Sequence, residues 1–180
     1  QDGYSNLMES QSLRICREVA TERDLFNCGG TFYELPSENA DGFAKIKPVS
    51  THGMRINDYA SFRGMLVLTG IDAKTASANK NIFFSDDRKA AVWAGVIDDL
   101  WKMGKPVGKG GPWLNDAIDA GAVSDPYLFG GYDQRTVSLS HNSTSAVSFT
   151  LQLDATGDGV WYDYTSVSVP AGQTKVLKFP

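Results

Sequence analysis

From Gln134 to Pro180 apolar and polar residues alternate with a period of two, and this rhythm constrains the chain more than any other feature. A period of two sends successive side chains to opposite faces of an extended strand. The runs Arg135 to His141, Ala146 to Leu153, Val160 to Val169 and Thr174 to Phe179 therefore read as half-buried antiparallel strands. The turns agree: Thr156-Gly157-Asp158-Gly159 supplies positive-φ positions and Pro170-Ala171-Gly172-Gln173 suits a type II turn. Residues 134–180 are expected to form a small antiparallel β-sandwich. Trp161, Tyr162 and Tyr164 have two places in such a module, its core or an exposed face where sugar rings stack.

Residues 1–103 read as a different β-structure, joined to the first through a Gly/Pro-rich bridge over 104–133. Strands are expected at Leu13 to Val19, Gly30 to Leu35, Gly64 to Ile71, Asn81 to Phe84 and Ala90 to Ala94, with no helical period between them. The run Gly64-Met65-Leu66-Val67-Leu68-Thr69-Gly70-Ile71 is apolar throughout, which predicts burial on both faces. Short strands with tight polar turns and buried centres favour the blades of a propeller. The fold class expected is all-β, one or more terminal propeller blades followed by the sandwich.

Composition bounds the partners. The 180 residues carry 17 basic and 21 acidic side chains, a net charge of -4, with no Lys/Arg run, so nucleic acid and anionic membrane surfaces are not expected partners. No apolar stretch approaches the roughly 20 residues needed to span a bilayer. Gln1-Asp2-Gly3-Tyr4 has neither the basic nor the apolar region of a leader, as expected of a mature secreted chain. Secretion is also suggested by Asn142-Ser143-Thr144, a glycosylation acceptor in a polar hairpin tip. Cys16 and Cys28 are too few for a structural zinc site; they either pair as a disulfide between neighbouring strands or stay as buried free thiols.

The turn Ser85-Asp86-Asp87-Arg88-Lys89 ahead of Trp93 has the character of an Asp-box hairpin, in which a carboxylate caps backbone N–H groups and an aromatic packs beneath. Lys89 stands where that pattern has Gly, and the Trp arrives one residue late. Thr21 to Pro36, Tyr59 to Leu68 and Asp98 to Pro106, with Gly110-Gly111-Pro112-Trp113, Ser124 to Leu128 and the terminal sandwich, resemble the C-terminal part of secreted microbial proteins with BNR-type β-propellers. Those proteins are similar to propeller enzymes acting on rhamnose-glucuronate linkages. The resemblance implies a secreted subunit or fragment that degrades an acidic polysaccharide, as a glycoside hydrolase or a polysaccharide lyase. It also implies a second, larger polypeptide that completes the propeller. The alternative is a lectin-like propeller that binds glycan without turnover.

Candidate site residues follow from loop chemistry. His52, Arg55 and Asp58 place an acid/base, a cation and a carboxylate within seven residues of the loop Ser50 to Tyr59, so they are the expected catalytic group, with Arg55 gripping a uronate and His52 moving a proton. The competing reading pairs Arg55 with Asp58. Glu22 and Asp24 fall on one side of an extended chain, and Glu22, Arg23 and Trp101 are expected to bind substrate. Tyr33 is assigned to the core. Asp98-Asp99 leaves calcium open as a weak alternative to no cofactor, since it lacks the spacing of a calcium loop.

Overall fold

The computed structural model describes residues 14–18, 23–35, 45–74 and 80–180, and these form an all-β protein of antiparallel sheets with one six-residue 3-10 helix, Ile97–Lys102. Strands β1 (Arg14–Glu18), β2 (Arg23–Cys28), β3 (Thr31–Leu35) and β4 (Lys47–Thr51) form a meander, sheet I, in the order β1-β2-β3-β4. Strands β5 (Asp58–Phe62), β6 (Met65–Ile71), β7 (Ile82–Phe84) and β8 (Ala91–Gly95) form sheet II in the order β5-β6-β8-β7. Among the described residues the sheets do not close into a ring. The remaining strands, β9 (Arg135–Ser140), β10 (Val147–Leu153), β11 (Tyr162–Val169) and β12 (Thr174–Phe179), pair as β10-β11 and β9-β12 in a sandwich-like module.

Turn chemistry sets the registers. Cys28 pairs with Thr31 across the two-residue loop Gly29-Gly30, whose φ values of 58° and 83° are those a tight hairpin matched to strand twist requires. At Gly70 (φ 80°), β6 bulges between the pairs Leu68–Trp93 and Ile71–Ala91. A Cβ on Gly70 would lie 2.7 Å from the backbone nitrogen of Asn57, which donates to Thr69 O at 2.9 Å. Only glycine fits both the conformation and the space.

Sheets I and II share one core. Leu25, Phe32 and Val49 from sheet I pack with Ile56, Tyr59, Leu66, Leu68 and Trp93, and Leu100 of the 3-10 helix closes one end. Phe32 meets Tyr59 edge-on at 5.5 Å between ring centroids, and Tyr59 Oη donates to Leu25 O at 2.7 Å. Register places Leu66 and Leu68 inward with Tyr59 and Trp93, whereas Met65 is exposed and Val67 and Thr69 are only half-buried. The expected burial of this strand on both faces is thus corrected: the outer side of sheet II presents Ala60, Phe62, Met65, Val67, Val92 and Phe83.

The 104–133 bridge is a strap laid on sheet I. Thr51 Oγ1 accepts the N–H of Val107 at 2.8 Å, Tyr132 faces Tyr33, and a Cβ on Gly131 would lie 2.6 Å from the Pro48 ring. Lys105 pairs with Asp133, closing the strap on itself. In the sandwich the alternation is as expected, but the core is thin: Val169 is its one fully buried apolar residue, with Val137, Leu139, Phe149, Leu151 and Val167 half-buried.

Two substitutions test this packing. Gly70→Ala should destabilise the fold by about 2 kcal/mol or more through strain and the Asn57 clash, read as a lower urea midpoint with unchanged slope. Ser50, fully buried opposite Phe32, has a hydroxyl without a hydrogen-bond partner. Ser50→Ala should therefore stabilise by about 1 kcal/mol, and a loss of stability would show that the hydroxyl is satisfied.

Candidate functional site

The connection from β4 to β5 carries the expected catalytic group, and its geometry is that of a clamp. The Met54 N–H donates to His52 Nδ1 at 3.0 Å, which leaves the ring proton on Nε2 to donate to Asn27 Oδ1 at 2.9 Å. The His52 backbone N–H donates to Gly30 O at 2.8 Å, and the ring lies 4.8 Å from that of Phe32. Both ring nitrogens are thereby engaged with sheet I and the loop's own backbone. Burial disfavours the charged imidazolium and lowers the pKa to about 4. Arg55 is exposed, Ile56 behind it is fully buried, and Asp58 Oδ1 accepts the N–H of Tyr59 at 2.9 Å. His52 is joined to Asn27 and Met54, not to Arg55 or Asp58.

Other expected residues disperse. Glu22 and the Arg23 side chain lie outside the described residues. Trp101 is exposed on the 3-10 helix, while Asp99 accepts from Lys102 at 2.7 Å, which holds its carboxyl below the usual range. Asn81 donates to the other Asp99 oxygen at 3.4 Å, so the acid that suggested calcium is committed to the helix. No group of three or more His, Cys, Asp or Glu residues is arranged for a metal among the described residues.

The disulfide is corrected by register. Cys16 pairs with Leu25, three residues from Cys28, a separation of about 10 Å along the strand. That exceeds the roughly 7 Å limit of a disulfide. The Cys28 thiol is free, and burial raises its pKa. Tyr33, assigned to the core, is only half-buried and sits under the strap, its pKa raised by burial and by Tyr132.

The Ser85–Lys89 turn does behave as a capped hairpin. Lys89 donates its backbone N–H to Asp87 Oδ1 at 3.1 Å, Ser85 Oγ donates to the same oxygen at 2.7 Å, and Trp93 is buried below. A cleft of about 270 Å³ beside it is lined by Phe83, Phe84, Ser85, Ala90, Ala91 and Val92, and offers no acid or base.

Three of the exposed aromatic residues fall together at the start of β11. Trp161, Tyr162 and Tyr164 are 43%, 63% and 55% exposed, which decides between core and surface for all three. A bulge explains their crowding: Leu151 pairs with Thr165 but Gln152 pairs with Asp163, leaving Tyr164 without an opposite residue. The Tyr164 ring lies 5.7 Å from Phe179, which meets Phe129 edge-on at 5.3 Å. Gln152 donates to Asp163 at 2.8 Å, leaving polar groups beside the rings.

The loop leading to Trp161, read from sequence as a turn at Thr156-Gly157-Asp158-Gly159, also spaces oxygen-bearing side chains at alternate residues as Asp154-x-Thr156-x-Asp158-Gly159. Asp154 Oδ1 accepts from Gly157 N at 2.7 Å and Oδ2 from Gly159 N at 2.9 Å, so this carboxylate builds the turn. It rigidifies the approach to the aromatic residues.

Family models, curated proteins and solved structures give no match to this chain.

His52 makes a signed pH prediction. Its folded pKa of about 4 lies below the unfolded value of 6.5, so its contribution is complete above pH 6.5 and disappears as pH falls towards 4. The loss should reach the order of 2–3 kcal/mol, followed by thermal unfolding across that window, and His52→Gln should flatten the slope. An unchanged slope in that variant would assign the acid sensitivity to other groups.

Proposed function

We propose that this chain belongs to a secreted, carbohydrate-recognising β-protein of propeller-plus-sandwich type, and that its own contribution is to bind glycan. The observation that carries this reading is the exposure of Trp161, Tyr162 and Tyr164 at the bulged end of β11. Flat amphipathic rings with few rotatable bonds stack on the apolar faces of pyranose rings at small entropic cost, while neighbouring polar groups address hydroxyls. Gln152 and Asp163 are such groups.

The degradative alternative, a hydrolase or lyase acting on acidic polysaccharide, asks His52 to exchange a proton. A ring with both nitrogens in fixed hydrogen bonds and a pKa near 4 is poorly matched to that task at neutral pH. Binding is favoured for that reason. The blade reading draws support from the four-stranded meander of sheet I packed through one face on sheet II. The apolar outer face of sheet II suits a further sheet of the same kind, supplied by a second, larger polypeptide.

Isothermal titration against a panel of neutral and uronate-bearing oligosaccharides tests the proposal. Trp161→Ala should weaken binding about tenfold, and the combined Trp161, Tyr162 and Tyr164 alanine variant should abolish it without lowering the melting temperature. Undiminished binding by that triple variant would sink the platform, and absence of binding to every glycan would sink the function.

A further inference from the structure

The geometry points to Asn142 as a covalent attachment site for an N-linked glycan, at the end of the sandwich opposite its aromatic residues. Asn142-Ser143-Thr144 is the one Asn-x-Ser/Thr triplet in the chain. It lies in the segment 141–146, after β9 leaves its ladder with β12 at Ser140 and before β10 begins at Val147. Its backbone is thus outside both sheets. Asn142 and Thr144 are exposed, and neither side chain makes a hydrogen bond among the described residues.

Their neighbours do the holding. His141 Nδ1 accepts the N–H of Ser143 at 3.2 Å, and His141 Nε2 lies 2.8 Å from Val169 O, the carbonyl of the one fully buried apolar residue of the module. Ser145 donates its N–H to Ser143 Oγ at 3.2 Å. The turn is therefore built by residues 141, 143 and 145, while the acceptor Asn142 and the hydroxyl of Thr144 are left over for a modifying enzyme. A glycan on Asn142 would displace no contact of the fold.

Register places the modification. β10 pairs with β11 from Val147–Val169 to Leu153–Tyr162, and its seven residues span about 20 Å. Asn142 follows the Val169 end, whereas Trp161 and Tyr162 occupy the other. The covalent glycan and the bound one would thus occupy opposite ends of the module. In the reaction Asn142 Nδ2 attacks the anomeric carbon of a lipid-pyrophosphate-linked oligosaccharide. The N–C bond forms, the bond from that carbon to the pyrophosphate oxygen breaks, one amide proton passes to the transferase base, and the lipid pyrophosphate departs.

This inference rests on the secreted part of the function proposed above and is independent of sugar binding by Trp161. The full chain is expressed behind a secretion leader in a eukaryotic host and mapped by peptide mass spectrometry before and after amidase release, which converts a modified Asn142 to Asp. Occupancy is expected in the natural chain and in Thr144→Ser, and none in Thr144→Ala, which leaves Asn142 in place. Should a variant fail to leave the cell, translation into endoplasmic-reticulum microsomes reads the same modification as a gel shift. An unmodified Asn142 in the natural chain, in the host and in microsomes, overturns the assignment. Equal sugar affinity before and after amidase treatment supports the opposite-end placement, and tighter binding after it refutes that placement.

Discussion

Phe32 joins three parts of the molecule that the chain visits separately. Its buried ring lies against Tyr59 from sheet II and against His52 from the connecting loop, while its backbone pairs with Asn27 on one side and Ser50 on the other. Burying a ring of that size contributes on the order of 2–3 kcal/mol. Its position matters more than that amount. The tight Gly29-Gly30 hairpin sets the register that brings Phe32 beside Asn27, and Asn27 then accepts from His52. A one-residue slip would turn Phe32 outward and leave the imidazole without its acceptor. The loop that looks catalytic is rigid because this hairpin is.

The described histidines solve one problem in the same way. Each follows a strand, each accepts the N–H two residues ahead on Nδ1, and each directs Nε2 at an oxygen of another strand: Asn27 Oδ1 for His52, Val169 O for His141. A neutral imidazole combines one acceptor and one donor on a rigid ring, so it closes a turn and ties that turn to a sheet at once. Here the residue type most associated with proton transfer serves as backbone carpentry.

Much of the architecture was legible from local rhythm. Strands β9 to β12 coincide with the alternating runs within a residue or two, because a module covered on one face writes its pattern directly into the sequence. Strands β4 and β5 did not announce themselves. Pro48 reads as a breaker, and it is tolerated because β4 lies at the edge of its sheet. In β5, Ala60 and Phe62 put apolar residues on the exposed face as well, so the alternation is blurred. The role of His52 was hidden for another reason: its acceptor lies 25 positions earlier, and a polar loop has the same composition whether it performs chemistry or holds itself together. Alternation leaves both core and surface open to Trp161, Tyr162 and Tyr164; the folded chain exposes all three, and the bulge takes Tyr164 out of register.

The strap between the two halves has both its ends against the same edge strand of sheet I, Val107 on Thr51 and Gly131 on Pro48, with Lys105 and Asp133 paired across its base. The sandwich is therefore tethered by the few residues next to Asp133 and not by the whole length of the bridge. What lies between the fastenings is a closed loop whose length enters the free energy only logarithmically. Evolution, or an engineer, has there a place to insert a new segment while the distance between the two β-modules stays as it is.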